Sequence, residues 1–193
     1  MEEYEELKPG VRESLPEVDR IADPDLRERV VAAWAMALSE TEFTSIDQIR
    51  PSGNPDSPAL KRGTQADHLR GVARIALAMA DSLESIVGSI GFDRDLLIAS
   101  ALCHDIGKPF EFSPENQKRW SADPKASGFP AMRHPVYGAH IAISAGLPEA
   151  VCHAAGGHSG EGELIVRSLE NTIVHHADHA FWRILTSAGM LED

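Results

Sequence analysis

The residues of this chain best suited to chemistry are its histidines, which are unevenly distributed. All nine lie between positions 68 and 179, and the first 67 residues contain none. His104 and Asp105 are adjacent near the end of an apolar segment, and neighbouring side chains on a helix diverge by about 100°. Both could therefore reach one metal ion, or Asp105 could bridge two. Imidazole and carboxylate groups suit divalent first-row metals, so the pair indicates a metal site.

Two more residues strengthen this interpretation. His68 falls on the apolar stripe of a predicted helix, and Asp178 lies within the sequence HHADH of the last predicted helix. A single histidine on an apolar face is usually an ordinary core residue. A buried carboxylate without a partner, however, is costly, so Asp178 favours a shared site with the histidines.

The elements that must position these residues are all predicted to be helices. No segment alternates apolar and polar residues as a half-buried strand does, and the sequence therefore predicts an all-α fold. Asp93 is a predicted N-cap for the apolar segment that contains His104. The predicted helical segments are 24–39, 64–87, 93–105, 134–146, 147–155 and 163–185.

Two segments lack a clear helical pattern. Residues 1–22 are acidic and contain prolines, which predicts an N-terminal arm that packs late or stays loose beside a single domain over 23–193. Residues 108–133 show neither helical nor strand periodicity and carry four prolines. A loop of this length in a compact domain is usually functional or disordered.

Composition limits the class of protein. The 193 residues are 42% hydrophobic and 25% charged, which suits a soluble domain, and the formal net charge of −12 argues against nucleic-acid or anionic-membrane binding. No apolar stretch approaches the ~20 residues of a membrane span, and the acidic start is unlike a signal peptide. We therefore expect a cytoplasmic protein with reduced Cys103 and Cys152, whose oligomeric state, including a homo-oligomer, stays open.

The motifs resemble a known family. CHDIGKP, preceded by His68 in QADHLRGV and followed by Asp178 in HHAD, resembles the HD-domain superfamily of metal-dependent phosphohydrolases over residues 64–185. RHPVYGAHIA and AAGGHSGEG resemble the segments that add His134 and His158 in its binuclear members. The resemblance implies an HD-domain-like helical bundle that holds two divalent metal ions, with iron first and manganese or zinc as alternatives.

The resemblance also implies how the ligands divide. One ion would be held by His68, His104, Asp105 and Asp178. The second would be held by Asp105, His134 and His158, so that Asp105 bridges the two. Such a site lowers the pKa of a bridging water to near neutrality, which favours hydrolysis of a small phosphate ester or nucleotide.

The predicted substrate is a small anionic molecule. Lys108, directly after the HDIG turn, could act with Asp105 in catalysis by neutralising an oxyanion of the substrate. Residues 108–133 carry five basic against three acidic residues and four aromatic ones, which predicts a basic flap over the metals. Within this segment, Lys118, Arg119 and Arg133 are the other predicted substrate contacts.

Two alternatives stay open at this point. Some HD-domain proteins with the same six ligands resemble myo-inositol oxygenase and the phosphonate-cleaving oxygenases, which use a mixed-valent diiron centre. The ligand set does not separate oxygenation from hydrolysis. The other alternative is a non-catalytic HD module. The GYP motif of cyclic-dinucleotide phosphodiesterases is absent from the sequence, which argues against that branch. The remaining histidines are interpreted as supporting or surface residues: His140, His153, His175, His176 and His179.

Overall fold

The structure is a computed structural model that describes residues 4–192 and is almost entirely helical, as predicted. Within the described residues, extended pairing is limited to two isolated bridges, Ser52 with Ala59 and Leu60 with Leu191. None of the helices of residues 4–192 is long and apolar enough to cross a bilayer. The α-helices are α1 (Lys8–Ser14), α2 (Pro24–Ser39), α3 (Gln65–Val87), α4 (Arg94–Cys103), α5 (Lys108–Phe112), α6 (Pro114–Ala122), α7 (Pro124–Ser127), α8 (His134–Ser144), α9 (Glu149–Gly157) and α10 (Leu169–Ser187).

The starts of the two helices that lead to the candidate ligands are fixed by capping side chains. Thr64 and Asp67 form a reciprocal capping box at the start of α3. The predicted cap of α4 is confirmed, because the Asp93 side chain accepts a hydrogen bond from the Leu96 backbone N–H. These caps set the register of the helices, and His68 therefore lies in the first turns of α3 with its side chain buried.

Helix α4 lies at the centre of the bundle. Every residue from Leu97 to Cys103 is buried, and the helix packs against α2, α3, α9 and α10. The indole Nε1 of Trp34 on α2 donates a buried hydrogen bond to the Leu102 carbonyl oxygen, 2.9 Å away. A helix that is apolar all round is stable only in such a position. Its C-terminal end therefore delivers His104 to the interior.

The N-terminal segment packs on the bundle, so of the two expectations, an arm that packs late or one that stays loose, the second is wrong. Val11, Leu15, Val18 and Ile21 are each at most 1% exposed. These apolar residues recur at three- and four-residue steps, so they form a buried stripe that the acidic residues between them obscure in the composition. Residues 1–3 of this segment lie outside the described residues.

One acidic residue of the segment is itself buried. Glu17, 5% exposed, accepts hydrogen bonds from Arg70 Nε at 3.0 Å and Arg74 Nε at 2.8 Å, both on α3. The N-terminal segment is thus joined to the helix that carries His68.

The prediction of a loop over residues 108–133 is wrong, since the segment folds into α5, α6 and α7. Three of its four prolines, Pro109, Pro114 and Pro124, lie at the starts of these helices, where a missing backbone N–H costs nothing. Ser113 and Asp123 cap α6 and α7 by accepting hydrogen bonds from Asn116 and Ala126. The last helix also differs from its prediction, because α10 begins at Leu169 and a separate 3-10 turn spans Gly160–Leu164.

Asp47 ties three parts of the fold together and should give a pH-dependent contribution to stability. Its carboxylate accepts hydrogen bonds from Ser14 Oγ at 2.6 Å and Thr64 Oγ1 at 2.7 Å. Burial acts to raise its pKa, but the hydrogen bonds from Ser14, Thr64 and Ser45 outweigh burial and lower the pKa below 3.8. Because its pKa is lower in the folded than in the unfolded state, the ionised Asp47 carboxylate stabilises the fold above the unfolded-state pKa. That stabilisation is lost as the pH falls through the folded-state pKa.

We therefore expect Asp47→Asn to reduce the free energy of unfolding by about 0.5–1 kcal/mol at pH 7, a small value because Asp47 is exposed. The difference from the parent protein should shrink as the pH is lowered from 7 to 3. Urea denaturation at both pH values measures it, with the exposed Asp56→Asn as the control. A difference that stays constant between pH 7 and pH 3 would contradict this account.

Candidate metal centre

The structure brings all six predicted ligands together from three helices and from the turns that follow α4 and α9. His68 comes from α3, His134 from the first position of α8, and Asp178 from the middle of α10. Asp178 is partly exposed, whereas the other five are at most 3% exposed. The remaining three are His104 and Asp105 after α4 and His158 after α9.

Asp105 lies between two groups of imidazoles. Its Oδ2 is 3.1 Å from His68 Nε2 and 3.4 Å from His104 Nε2. Its Oδ1 is 3.2 Å from His134 Nε2 and 3.6 Å from His158 Nε2. Each oxygen of one carboxylate thus faces its own pair of ring nitrogens.

Asp178 joins the first of these groups. Its Oδ1 lies 3.4 Å from His68 Nε2 and 3.9 Å from His104 Nε2. This oxygen is buried and accepts no hydrogen bond from the residues that the structure describes. A buried carboxylate oxygen without a donor is costly. A cation between Asp178 and the two imidazoles would remove that cost.

The outer ring nitrogens of three histidines are held by the protein. His104 Nδ1 donates to the Ala101 carbonyl oxygen at 2.7 Å, and His158 Nδ1 faces the Ala154 and Ala155 carbonyl oxygens at 3.2 Å. His134 Nδ1 donates to the Glu111 carboxylate. A neutral imidazole whose Nδ1 carries the proton has its lone pair on Nε2. The Nε2 atoms of these three histidines face Asp105 and, with Nδ1 held by the protein, are the atoms left to bind a metal ion.

Glu111 on α5 is the partner that orients His134. It is 1% exposed and accepts a second hydrogen bond from the His134 backbone N–H at 2.9 Å. Burial acts to raise the pKa of Glu111, but its hydrogen bonds with His134 and the charge of Arg133 outweigh burial and lower it. Glu111 therefore stays ionised and holds the ring from two directions. Sequence analysis placed Glu111 only among the charges of a loop.

The charges of the centre suit metal binding. Burial acts to raise the pKa of Asp105, but the charges of Lys108 and His104 outweigh it and hold this pKa well below the usual value. Burial lowers the pKa of His68 and of His158. Asp105 is therefore ionised, and these two imidazoles are neutral, as ligation of a divalent ion requires.

The other two imidazoles have the opposite shift. Burial acts to lower the pKa of His104 and of His134, but the nearby Asp105 carboxylate outweighs burial and raises both. An ion bound at these nitrogens would have to displace a proton, so binding should release protons to solvent.

Lys108 is anchored inside the protein and reaches Asp105 directly. It is 1% exposed, and its Nζ lies 2.8 Å from Asp105 Oδ2 and 2.7 Å from the Ser52 carbonyl oxygen. Gln65 Nε2 donates to the same Asp105 oxygen at 2.9 Å. Sequence analysis overlooked Gln65, although its place three residues before His68 puts both on one helical face. Lys108 and Gln65 together fix the Asp105 carboxylate.

A cavity of about 270 Å³ opens beside Asp105 and Lys108. Arg133, one of the predicted substrate contacts, lines it. Lys118 and Arg119 are not brought to this cavity. Lys118 is exposed on α6, and Arg119 donates to Asn116 Oδ1 at 2.8 Å and lines a different cavity. The reason is that the segment folds as helices, which point these side chains away from the centre.

Helix α10 also lines the cavity, although no substrate contact was predicted there. His179, Trp182 and Arg183 line it together with Asp178. Trp182 follows Asp178 by four residues, so the two share one face of the helix. That four-residue spacing could have predicted from the sequence that Trp182 lies beside Asp178 at the cavity.

The leftover histidines are at the surface or in supporting positions. His175 Nδ1 donates to the His158 carbonyl oxygen at 2.6 Å, and His153 Nε2 accepts from the Ser168 backbone N–H at 3.2 Å. His140, His176 and His179 are exposed. His175 thus fixes the backbone of a candidate ligand from α10.

Comparison with known proteins identifies the family. The model of the HD domain matches residues 66–180, a range that includes all six candidate ligands. The chain belongs to the HD-domain family. The resemblance seen in its motifs is therefore confirmed, as is the all-α fold.

A curated relative adds a similarity over a shorter range. The dihydroneopterin 2′,3′-cyclic phosphate phosphodiesterase of Methanocaldococcus jannaschii is 46% identical to this HD-domain chain over 50 residues. The match covers 26% of this chain and 20% of the relative, so the chain spans only about a fifth of that protein. No solved structure gave a significant match.

Proposed function

We propose that this HD-domain protein hydrolyses a small phosphate ester with the help of two divalent metal ions. The observation that carries the proposal is the position of Asp105, whose two carboxylate oxygens face separate groups of imidazoles. In this proposal, His68, His104, Asp105 and Asp178 hold one ion, and Asp105, His134 and His158 hold the other. The donor set suits iron, manganese or zinc.

The protein's own groups have defined tasks in this reaction. When bound, a pair of divalent ions makes water acidic enough to be a nucleophile near neutral pH and offsets the charge of the phosphate. Asp105, fixed by Lys108 and Gln65, holds the two ligand groups at one spacing. Arg133 at the cavity wall attracts the anionic ester and orients it toward Asp105.

The comparisons support hydrolysis as the reaction. The relative from Methanocaldococcus jannaschii is named for the opening of a cyclic phosphate, in which water adds to phosphorus and one P–O bond breaks. A cyclic phosphate is also a small ester, which suits a cavity of about 270 Å³. We therefore propose 2′,3′-cyclic phosphates as the first substrates to test, ahead of the diiron oxygenase reaction.

A direct assay separates these reactions. The purified protein would be incubated with 2′,3′-cyclic nucleotides and with p-nitrophenyl phosphate, aerobically and anaerobically, and the ring-opened monoester or released nitrophenol measured. We expect turnover that is independent of O₂, is lost on chelation and is lost in Asp105→Asn. Turnover that requires O₂ would support the oxygenase instead. An absence of turnover on every ester, in protein that holds its metals, would refute the proposal.

Glu111→Gln should weaken the second ion selectively, because it keeps the shape of the side chain but removes the charge that orients His134. Loss of such an outer partner typically costs about 10- to 100-fold in metal affinity. We expect that loss for one of two ions, measured by Mn²⁺ titration against a competing chelator. Glu115→Gln, an exposed change on α6, is the matched control. Equal weakening of both ions would mean that Glu111 supports the fold and not His134 alone.

A further inference from the structure

Trp182 presents an aromatic ring to the cavity beside the candidate metal centre. The ring is partly buried, and its orientation is fixed by its neighbours on the protein side. The His68 ring packs against it at 4.9 Å between centroids with a 32° tilt, and the Phe181 ring meets it edge-on at 5.4 Å. A held aromatic ring on a cavity wall is a platform on which a planar group can stack.

The loop that carries Asn54 supplies an unsatisfied hydrogen-bond acceptor to the same cavity. Asn54 lines the same cavity, and its Oδ1 is buried without a donor among residues 4–192, while its Nδ2 donates to Ser57 Oγ at 3.4 Å. Lys108 lies between the two walls, because its Nζ contacts the Ser52 carbonyl oxygen at 2.7 Å and is 5.8 Å from the Trp182 ring centroid. An N–H of a ligand would satisfy Asn54 Oδ1.

Size and charge restrict the ligand further. The cavity of about 270 Å³ is slightly below the roughly 300 Å³ at which ligand clefts usually begin, which fits one ring system. Arg133 Nε is buried without a hydrogen-bond partner among the described residues, and Glu111 and Glu161 oxygens lie 3.6 Å from it. Arg183 is exposed on the same cavity wall. These cations favour an anionic group beside the ring.

We propose that Trp182 and Asn54 form a recognition subsite for a planar nitrogen heterocycle on the phosphate ester. The ring stacks on the Trp182 indole, one of its N–H groups donates to Asn54 Oδ1, and Arg133 pairs with the phosphate. This inference rests on the proposed function for the position of the phosphate. It makes Trp182 and Asn54 specificity-determining residues, and both lie outside the range matched by the HD-domain model.

Nucleosides test the subsite without relying on hydrolysis. Adenosine, guanosine, cytidine and uridine carry a ring but no phosphate, and ribose is the ring-free control. We expect at least one nucleoside to bind about 10-fold or more tightly than ribose and to quench tryptophan fluorescence. The quenching should vanish in Trp182→Phe and persist in Trp120→Phe, a matched loss of an indole from α6. No preference over ribose, or quenching that survives in Trp182→Phe, would overturn the subsite.

Kinetics with matched esters give a second, separable result. Trp182→Ala should reduce kcat/KM for a nucleoside monophosphate by roughly 5- to 150-fold, mainly through KM, and by less than about 3-fold for ribose 5-phosphate. Asn54→Leu should also act on the ring-bearing ester alone, and Arg94→Ala on the distant surface should affect neither. Equal losses on both esters would overturn the proposal. Ring binding without turnover of any ester would instead refute the proposed hydrolysis and leave the subsite standing.

Discussion

Replacing Asp105 by alanine is expected to abolish both metal binding and hydrolysis. Its two oxygens contact all four imidazoles of the centre at 3.1–3.6 Å, so its removal weakens both ligand groups at once. The change also leaves Lys108, which is 1% exposed, without the carboxylate 2.8 Å from its ammonium. A buried charge deprived of its partner costs about 3–5 kcal/mol, or roughly 6–20 °C in Tm for a domain of this size.

Three measurements test this expectation together: elemental analysis for the ions, the ester assay for turnover, and calorimetry for Tm. Asp105→Asn retains an acceptor for Lys108, so it should lose the ions and the activity but less of the stability. Asp81→Ala removes the same charge from an exposed ion pair with Arg94 and should leave all three quantities near those of the parent protein. An Asp105→Ala protein that kept two ions and normal turnover would refute the central role of Asp105.

The ligand candidates could be found from the sequence because each obeys a local rule. His68 lies on the apolar stripe of a capped helix, and His104 ends a helix that is apolar all round. An imidazole or a carboxylate at such a buried position needs a partner. The order of the histidine and aspartate motifs along the chain predicted that this partner is one shared metal centre. Which oxygen of Asp105 faces which ring is not a local property. It depends on how α3, α8 and α9 pack, and only the structure gives that.

The residues that support the ligands were harder to predict for the same reason. Glu111 stands 23 positions before His134 and meets it only because α5 packs against α8. Segment 108–133 was predicted as a loop because its prolines suggested breaks, yet three of its four prolines lie at the starts of helices. The distinction depends on Ser113 and Asp123, whose side chains cap the starts of α6 and α7. The place of Trp182 at the cavity could have been predicted from the sequence, because Trp182 follows Asp178 by one helical turn.

Because the two ligand groups are separate, removing a histidine from one group should have a large effect on one metal ion and little effect on the other. His134→Ala should remove one ion and leave the other, because His134 Nε2 faces Asp105 Oδ1, on the side away from Asp178. His68→Ala should have the complementary effect, because His68 Nε2 contacts Asp105 Oδ2 and Asp178 Oδ1. Loss of a residue that only orients a ligand lowers metal affinity by up to about 100-fold. Each of these changes removes a ligand itself and should lower the affinity for its ion by more.

Elemental analysis should therefore give two ions per chain in the parent protein and one in each variant. His140→Ala, which removes an exposed histidine from the same helix as His134, is the control and should keep two. The His134→Ala,His68→Ala double variant distinguishes two sites from one, since it should retain none. One ion per chain in the parent protein, still present after His134→Ala, would mean that His134 belongs to the cavity wall. Hydrolysis would then have to proceed at the group formed by His68, His104 and Asp178, with Asp105 acting through one oxygen only.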